Sequence, residues 1–313
     1  MRGFGLRRGV KIVIVTLGLT VVAILLAVLE DKCETYDPWS FFLDSLPWSE
    51  KSPFDDVVNP VQHQGIIVVP TLHPDEVSWI ADELPEWQSA IYYFDSPSNN
   101  SNNHSEPDLE RLTTPANKGN EAMTYLTYII EHYHQPIPEV VVFVHSHRDG
   151  FFRAWHVDTA LHSNVDSIRH LRVDHVLKTG YVNLRCNRNP GCMKLEKRNS
   201  HVTGQVWKEI FANTSTPAFS SDPEGPAAVS SFHESRYEYP SMDAADSLES
   251  DFIDIKSPCC AQFAVSAKQI YQRPLNDYLN IRQWLLDTTL DNAHSGRVME
   301  FLWHVIFGRE AVQ

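Results

Sequence analysis

Three kinds of apolar pattern run along the chain. The first is an unbroken block, Ile12 to Leu29 (IVIVTLGLTVVAILLAVL), 18 residues without a charge. At about 1.5 Å of rise per helical residue it nearly crosses a hydrocarbon core of roughly 30 Å. The second kind is a set of short β-branched runs: Gly65 to Leu72 (GIIVVPTL), Ser89 to Phe94 (SAIYYF) and Val140 to Val144 (VVVFV). The last, bounded by Pro138 and HSHRDG, has the continuous apolar character of a strand covered on both faces. The third kind is helical periodicity. Residues 75–84 read as a short helix, and Asn117 to His134 as the clearest one. In the latter Asn117 is a cap, and Ala122, Met123, Leu126, Ile129, Ile130 and Tyr133 form the stripe. Order resumes at CCAQFAVSAKQI and continues as helix through Trp284 and Leu286. A last helix, from about Gly296 to Phe307, carries Val298, Phe301, Leu302, Val305 and Ile306 on one side. Strand, helix, strand, helix, strand predicts an α/β fold with a mostly parallel, Rossmann-like central sheet flanked by helices.

The polar stretches divide the chain. Residues 30–62, rich in Pro, Asp, Ser and Trp and without a sustained period, read as a stem. Residues 96–108 (SPSNNSNNHSEPD) read as a surface loop, and residues 212–256 as a long irregular insertion. The expected layout is a basic tail (1–11), a transmembrane anchor (12–29), the stem (30–62) and an α/β domain (63–313).

Charge sharpens this layout. The chain has 313 residues with 26 Lys and Arg against 40 Asp and Glu, a net charge of −14. Four of the cations (Arg2, Arg7, Arg8, Lys11) precede the apolar block, and no acid does. The remaining 284 residues therefore hold 22 cations against all 40 acids, a net of −18. The positive-inside rule keeps such an N-terminus cytoplasmic and sends the body to the lumen of the ER or Golgi, or outside the cell. A cleaved signal peptide has a shorter apolar region and a small-x-small cleavage site, which Ala27-Val-Leu-Glu30 does not supply. An uncleaved single-pass anchor is expected. So acidic a body is unsuited to nucleic-acid backbones. Sequons at Asn99, Asn103 and Asn213 suit a lumenal body as glycosylation sites. Of the five cysteines (33, 186, 192, 259, 260), Cys186 and Cys192 could close the loop CNRNPGC, and an odd count leaves one thiol over.

Three constellations could carry chemistry. His145-Ser146-His147-Arg148-Asp149 follows the VVVFV strand, where open α/β sheets bind ligands. Two imidazoles and a carboxylate there suit a borderline metal such as zinc or manganese. A polar loop after a buried strand reads the same way. Arg297, Glu300 and His304 share one face of the last helix and could contact a phosphate, a metal and a hydroxyl proton respectively. A merely solvated face is the plainer account of them. Asn117, Lys118, Gly119 and Glu121 gather donors at a helix start suited to a phosphate or a sugar hydroxyl, or simply cap it. Trp155 could stack on a sugar or fill the core, and the Gln262 amide could read a ligand.

The segments NKGNEAMTYLTYIIEHY, VFVHSHRDGFFRAWH, CCAQFAVS with RQWLLDTT after it, and SGRVMEFLWHVIFG resemble, in this order, a mainly fungal domain-of-unknown-function family 3431. The resemblance covers roughly residues 64–308. That family is similar in outline to GT-A-type glycosyltransferases, which take a nucleotide-sugar donor and a glycan or small-molecule acceptor. The resemblance implies that His145 and His147, with Asp149, stand where a D-x-D motif would hold a divalent metal (Mn or Zn) on the donor diphosphate. His304 or Glu300 would complete its shell. No D-x-D stands there. It implies Glu300 and Asp149 as candidate catalytic bases, with Lys118, Arg148, Arg153 and Arg297 as the nearby cations. Two other readings compete. HSHRD also looks like the start of the H-x-H-x-D-H motif of metallo-β-lactamase-type hydrolases, with Gly150 in place of the final His. A non-catalytic accessory or tailoring protein of a fungal secondary-metabolite pathway is the other.

Overall fold

The computed structural model describes residues 17–26, 65–94, 111–186, 203–215 and 255–310. Its centre is a six-stranded sheet: β1 (Gly65–Thr71), β2 (Gln88–Tyr93), β3 (Leu112–Thr113), β4 (Val140–Phe143), β5 (Tyr181–Asn183) and β6 (Phe263–Ser266). The strand order is β3-β2-β1-β4-β6-β5. β1 pairs in parallel with both β2 and β4, and β2 with β3. β6 then runs antiparallel between β4 and β5, with Val141 opposite Val265 and Val182 opposite Ala264. The sheet is mostly parallel, as expected from the sequence, and is mixed only because β6 enters reversed.

The central strands are buried at every position, and β4 is apolar throughout, since both faces are covered. Strand alternation sends Ile66, Val68, Tyr92, Val141, Phe143, Phe263 and Val265 to one face. Helices α2 (Glu121–His132), α6 (Thr203–Phe211), α8 (Leu275–Asp287) and α9 (Asn292–Ile306) cover it. Tyr125, Phe143, Phe263 and Trp303 pack together there, with ring centres 4.7–5.8 Å apart. Ile67, Val69, Val140, Val142 and Ala264 point to the opposite face. The short helices α1 (Ser78–Glu83), α4 (Asn164–Arg169) and α5 (Val173–Thr179) cover that one. Two further single-turn helices are α3 (Phe151–Ala154) and α7 (Ala267–Ile270).

Two helix starts differ from the sequence reading. α2 begins at Glu121, because Gly119 (φ 68°) and Asn120 (φ 53°) bend the chain into it; Asn117 does not cap it. A Cβ at Gly119 would meet a Leu285 methyl at 2.5 Å, so glycine is required by conformation and by space. α9 begins earlier than expected, at Asn292, where Asp291 caps it by accepting the His294 N–H. Residues 17–26 are helical with every side chain exposed, and no helix among the described residues is long and apolar enough to cross a membrane. The rest of the 12–29 block, the tail, the stem, Asn99, Asn103 and most of the 212–256 insertion lie outside the described residues. Ile255, at the end of the insertion, is buried in the core.

Candidate functional site at the strand switch point

From β1 the chain moves to β2 and β3 on one side of the sheet, then returns to place β4 on the other. Between β1 and β4 the order reverses, and in open α/β sheets ligands bind in the crevice outside the carboxyl ends of the strands at that point. A cavity of about 370 Å³ lies there. Thr71, Leu72 and Glu76 line it after β1, and Phe94 after β2. Asn117, Asn120 and Glu121 contribute the start of α2, and His145, Ser146 and His147 the segment after β4.

The His145–His147 backbone is fixed from three directions. The His145 N–H donates to the Gln262 side-chain oxygen at 3.0 Å. The Trp79 indole N–H donates to the Ser146 carbonyl at 2.9 Å, and the Asn164 amide to the His147 carbonyl at 2.7 Å. With its backbone held, the segment presents its side chains to the cavity, and the Ser146 hydroxyl faces a Glu76 carboxylate oxygen at 3.4 Å. A third imidazole lies behind this wall: His156 does not line the cavity, but its ring is 4.7 Å from that of His145.

Burial keeps these rings neutral. It lowers the His145 pKa to about 4, partly offset by a hydrogen bond to the Cys260 backbone. It lowers His147 as well, helped by His145 and Arg153 and opposed by Glu76. His156 is pushed well below the usual value by burial, then by His145 and Arg185. His145 Nε2, His147 Nδ1 and His156 Nε2 are all buried with no protein hydrogen-bond partner.

The opposite wall is acidic. Gly296 lets α9 approach the start of α2 so closely that a Cβ there would meet the Asn120 amide at 2.6 Å. That contact brings Glu121 and Glu300 into electrostatic reach of each other. Burial raises both pKa values to about 7, against the opposing pull of Arg297. Arg297 pairs with Glu300 at 3.0 Å. The second partner of Glu300 is the Cys260 N–H. Cys259 and Cys260 are joined by a disulfide, and Cys260 and Ala261 both have positive φ (91° and 47°). This turn links the two walls: Cys260 contacts Glu300 and His145, and Gln262 holds the His145 amide.

Of the sequence candidates, the structure therefore places Asn117, Glu121, His145 and His147 on the cavity, with Gln262 holding the His145 amide and Arg297 paired to Glu300 nearby. The α9 polar face is not a solvated one, since the Glu300 side chain is only 10% exposed and His304 is fully buried. His304 lies a turn beyond Glu300 and does not line the cavity. His145, His147 and His304 do not gather as a metal shell: the only three-ligand group within 4.8 Å among the described residues is Cys259, Cys260 and Glu300. The sulfurs of that group are bonded to each other.

Other candidates are engaged elsewhere. Arg148 binds Glu83 at 2.5 Å and Asp149 turns to Arg148, away from the cavity. The Lys118 ammonium donates to the carbonyls of Thr288 and Leu290, tying the start of α2 to the α8–α9 turn. The Gly119 N–H donates to the Asn292 side chain at 3.3 Å. Trp155 lies under the Arg185 guanidinium at 5.3 Å. Asn213 is exposed just after α6. Cys186 is a free, exposed thiol, and Cys192, its expected partner, lies outside the described residues. Sequence reasoning missed Glu76, His156 and Arg185; only the adjacent cysteines carried a visible signal of the linking turn.

Residues 67–313 match the model of the family described as protein of unknown function (DUF3431), and the chain belongs to that family. No curated protein and no solved structure matches it.

Proposed function

We propose that this domain is a nucleotide-sugar-dependent transferase of GT-A type, held at the lumenal or outer face of a membrane by a single N-terminal helix over residues 12–29. The observation that carries the reading is the cavity at the β1/β4 switch point, lined by His145 and His147 on one side and by Glu121, a carboxyl shifted toward neutrality, on the other. A nucleoside diphosphate suits a crevice of this kind at the carboxyl ends of parallel strands. A divalent metal, when bound on the imidazole wall, would supply charge neutralisation for the leaving diphosphate; Arg297 supplies a fixed cation on the other side.

In the reaction, an acceptor hydroxyl oxygen bonds to the anomeric carbon while the bond from that carbon to the diphosphate oxygen breaks. The diphosphate leaves with the electron pair. The hydroxyl proton passes to a carboxylate, and Glu121, which lines the cavity with a pKa of about 7, is suited to receive it. Glu300 does not line the cavity; Glu121 helps to raise its pKa. A hydrolase built on His145, His147 and Asp149 is less well supported, because Asp149 is engaged by Arg148.

The test uses the full chain in detergent micelles. UDP or GDP, with or without manganese, is expected to raise the thermal midpoint, and Glu121→Gln to retain that binding while losing transfer. Absence of stabilisation by any nucleoside diphosphate would sink the reading and favour the accessory role.

A further inference from the structure

We propose that His145 and His156 form a two-imidazole site for a transition-metal ion such as zinc or cobalt, whose remaining positions are filled by oxygens of the cavity's ligand. The proposal deepens the transferase reading by moving the metal from the expected His145, His147 and His304 set to a pair that sequence order does not suggest. It rests on that reading only for the identity of the ligand oxygens.

The geometry suits one ion. At metal–nitrogen distances of about 2.0–2.1 Å, two imidazoles in adjacent coordination positions place their ring centres roughly 4.5–5 Å apart. The His145 and His156 rings are 4.7 Å apart and inclined by 59°. Each has a buried Nε2 that no protein group bonds. Most buried polar atoms in proteins are hydrogen-bonded, so neighbouring imidazole nitrogens without a protein partner point to a missing one, and of the three here His145 and His156 are the pair whose rings adjoin. The Cys260 backbone acts on the His145 ring as a hydrogen-bond acceptor, and Nε2 is a buried ring nitrogen left without a protein partner. A second-sphere bond from the far nitrogen to a carbonyl is the usual support of a metal-bound histidine.

The surroundings also limit the occupant. Arg185 acts on His156, and Arg153 and Glu76 act in opposite senses on the neighbouring His147. With no carboxylate among the two ligands, a hard ion such as magnesium gains little, whereas imidazole favours zinc, cobalt and nickel. Two protein ligands leave room for oxygens from a bound molecule, as an open catalytic site requires.

Cobalt(II) is the probe, titrated into the full chain in detergent and followed by its visible d–d absorption. One equivalent is expected, with affinity reduced at least tenfold in His145→Asn and in His156→Asn and unchanged in the exposed control His134→Asn. Unchanged affinity in folded His156→Asn, or no cobalt spectrum in the wild type, would overturn the proposal. A second measurement needs no variant: pulsed EPR of bound copper(II) should count two imidazole ligands, and one or none refutes the site. UDP or GDP added to the cobalt form separates the two readings. A shifted spectrum supports both. Cobalt bound without response to either nucleotide keeps the metal site and removes the transferase reading. Metal-free nucleotide binding with no cobalt site does the reverse.

Discussion

The two faces of the sheet are built differently, and the cavity lies where they meet. One face is aromatic: Tyr125, Phe143, Phe263 and Trp303 interlock beneath the long helices α2, α8 and α9. The other is aliphatic, with Ile67, Val69, Val140 and Val142 under the short helices α1, α4 and α5. Each face sends its own chemistry to the edge. Long helices of the aromatic face deliver Glu121, Arg297 and Glu300. On the aliphatic side, Trp79 of α1 and Asn164 of α4 hold the segment that carries the imidazoles. The lesson is a division of labour: carboxylates are positioned by rigid helix ends packed on a dense core, and imidazoles by a loop pinned through hydrogen bonds.

Breaking the aromatic face should have the largest effect. Trp303→Ala should lower unfolding stability by about 3–5 kcal/mol in denaturant titration, whereas Ile67→Val on the aliphatic face should cost only about 0.5–1.5 kcal/mol. Equal losses would dissolve the distinction.

The buried acid comes next. The Glu300 pKa is raised from 4.5 to about 7, so the folded protein keeps a proton that the unfolded chain releases across that interval. Stability from this group is therefore greatest below about pH 4.5 and falls as pH rises to about 7, by on the order of 1–3 kcal/mol. Glu300→Gln should flatten that fall in thermal midpoints measured from pH 5 to 8, leaving the parallel contribution of Glu121. A slope unchanged by the substitution would remove the electrostatic account of the acidic wall.

Smaller effects probe the pinned loop. Ser163 caps α4 by accepting the Asp166 N–H at 3.1 Å, and the next residue holds the His147 carbonyl. Ser163→Ala should cost about 1 kcal/mol and speed amide exchange in the 145–148 segment. Smallest of all, Arg148→Ala removes an exposed pairing with Glu83 and should change stability by less than about 1 kcal/mol, with the difference vanishing in high salt.

The sequence made part of this legible. Continuous β-branched runs marked β1, β2 and β4, because parallel central strands have no polar side to show. The periodic stripe marked α2 and α9 for the complementary reason. β5 and α3 to α6 were not read, since these elements are short and acquire their shape from contacts across the sheet. At the site, the rule that ligands gather at strand carboxyl ends located His145 and His147. Glu300 was placed on a polar face, but its burial follows from the close approach at Gly296, which spacing alone does not reveal. His156 was hidden for the same reason: it reaches His145 through the fold of the chain after α3, not through periodicity.

The Cys259–Cys260 bond closes a ring inside a single dipeptide. It therefore joins no two peptides and constrains no loop that a gel could register. Digestion yields the same fragments whether it is formed or open, and mobility under non-reducing conditions is unchanged. Its presence is written only in mass, as two missing hydrogens on one peptide, and in thiol counts that fall two short. Disulfide surveys that search for cross-linked peptide pairs will pass over the turn that joins the two walls of the cavity.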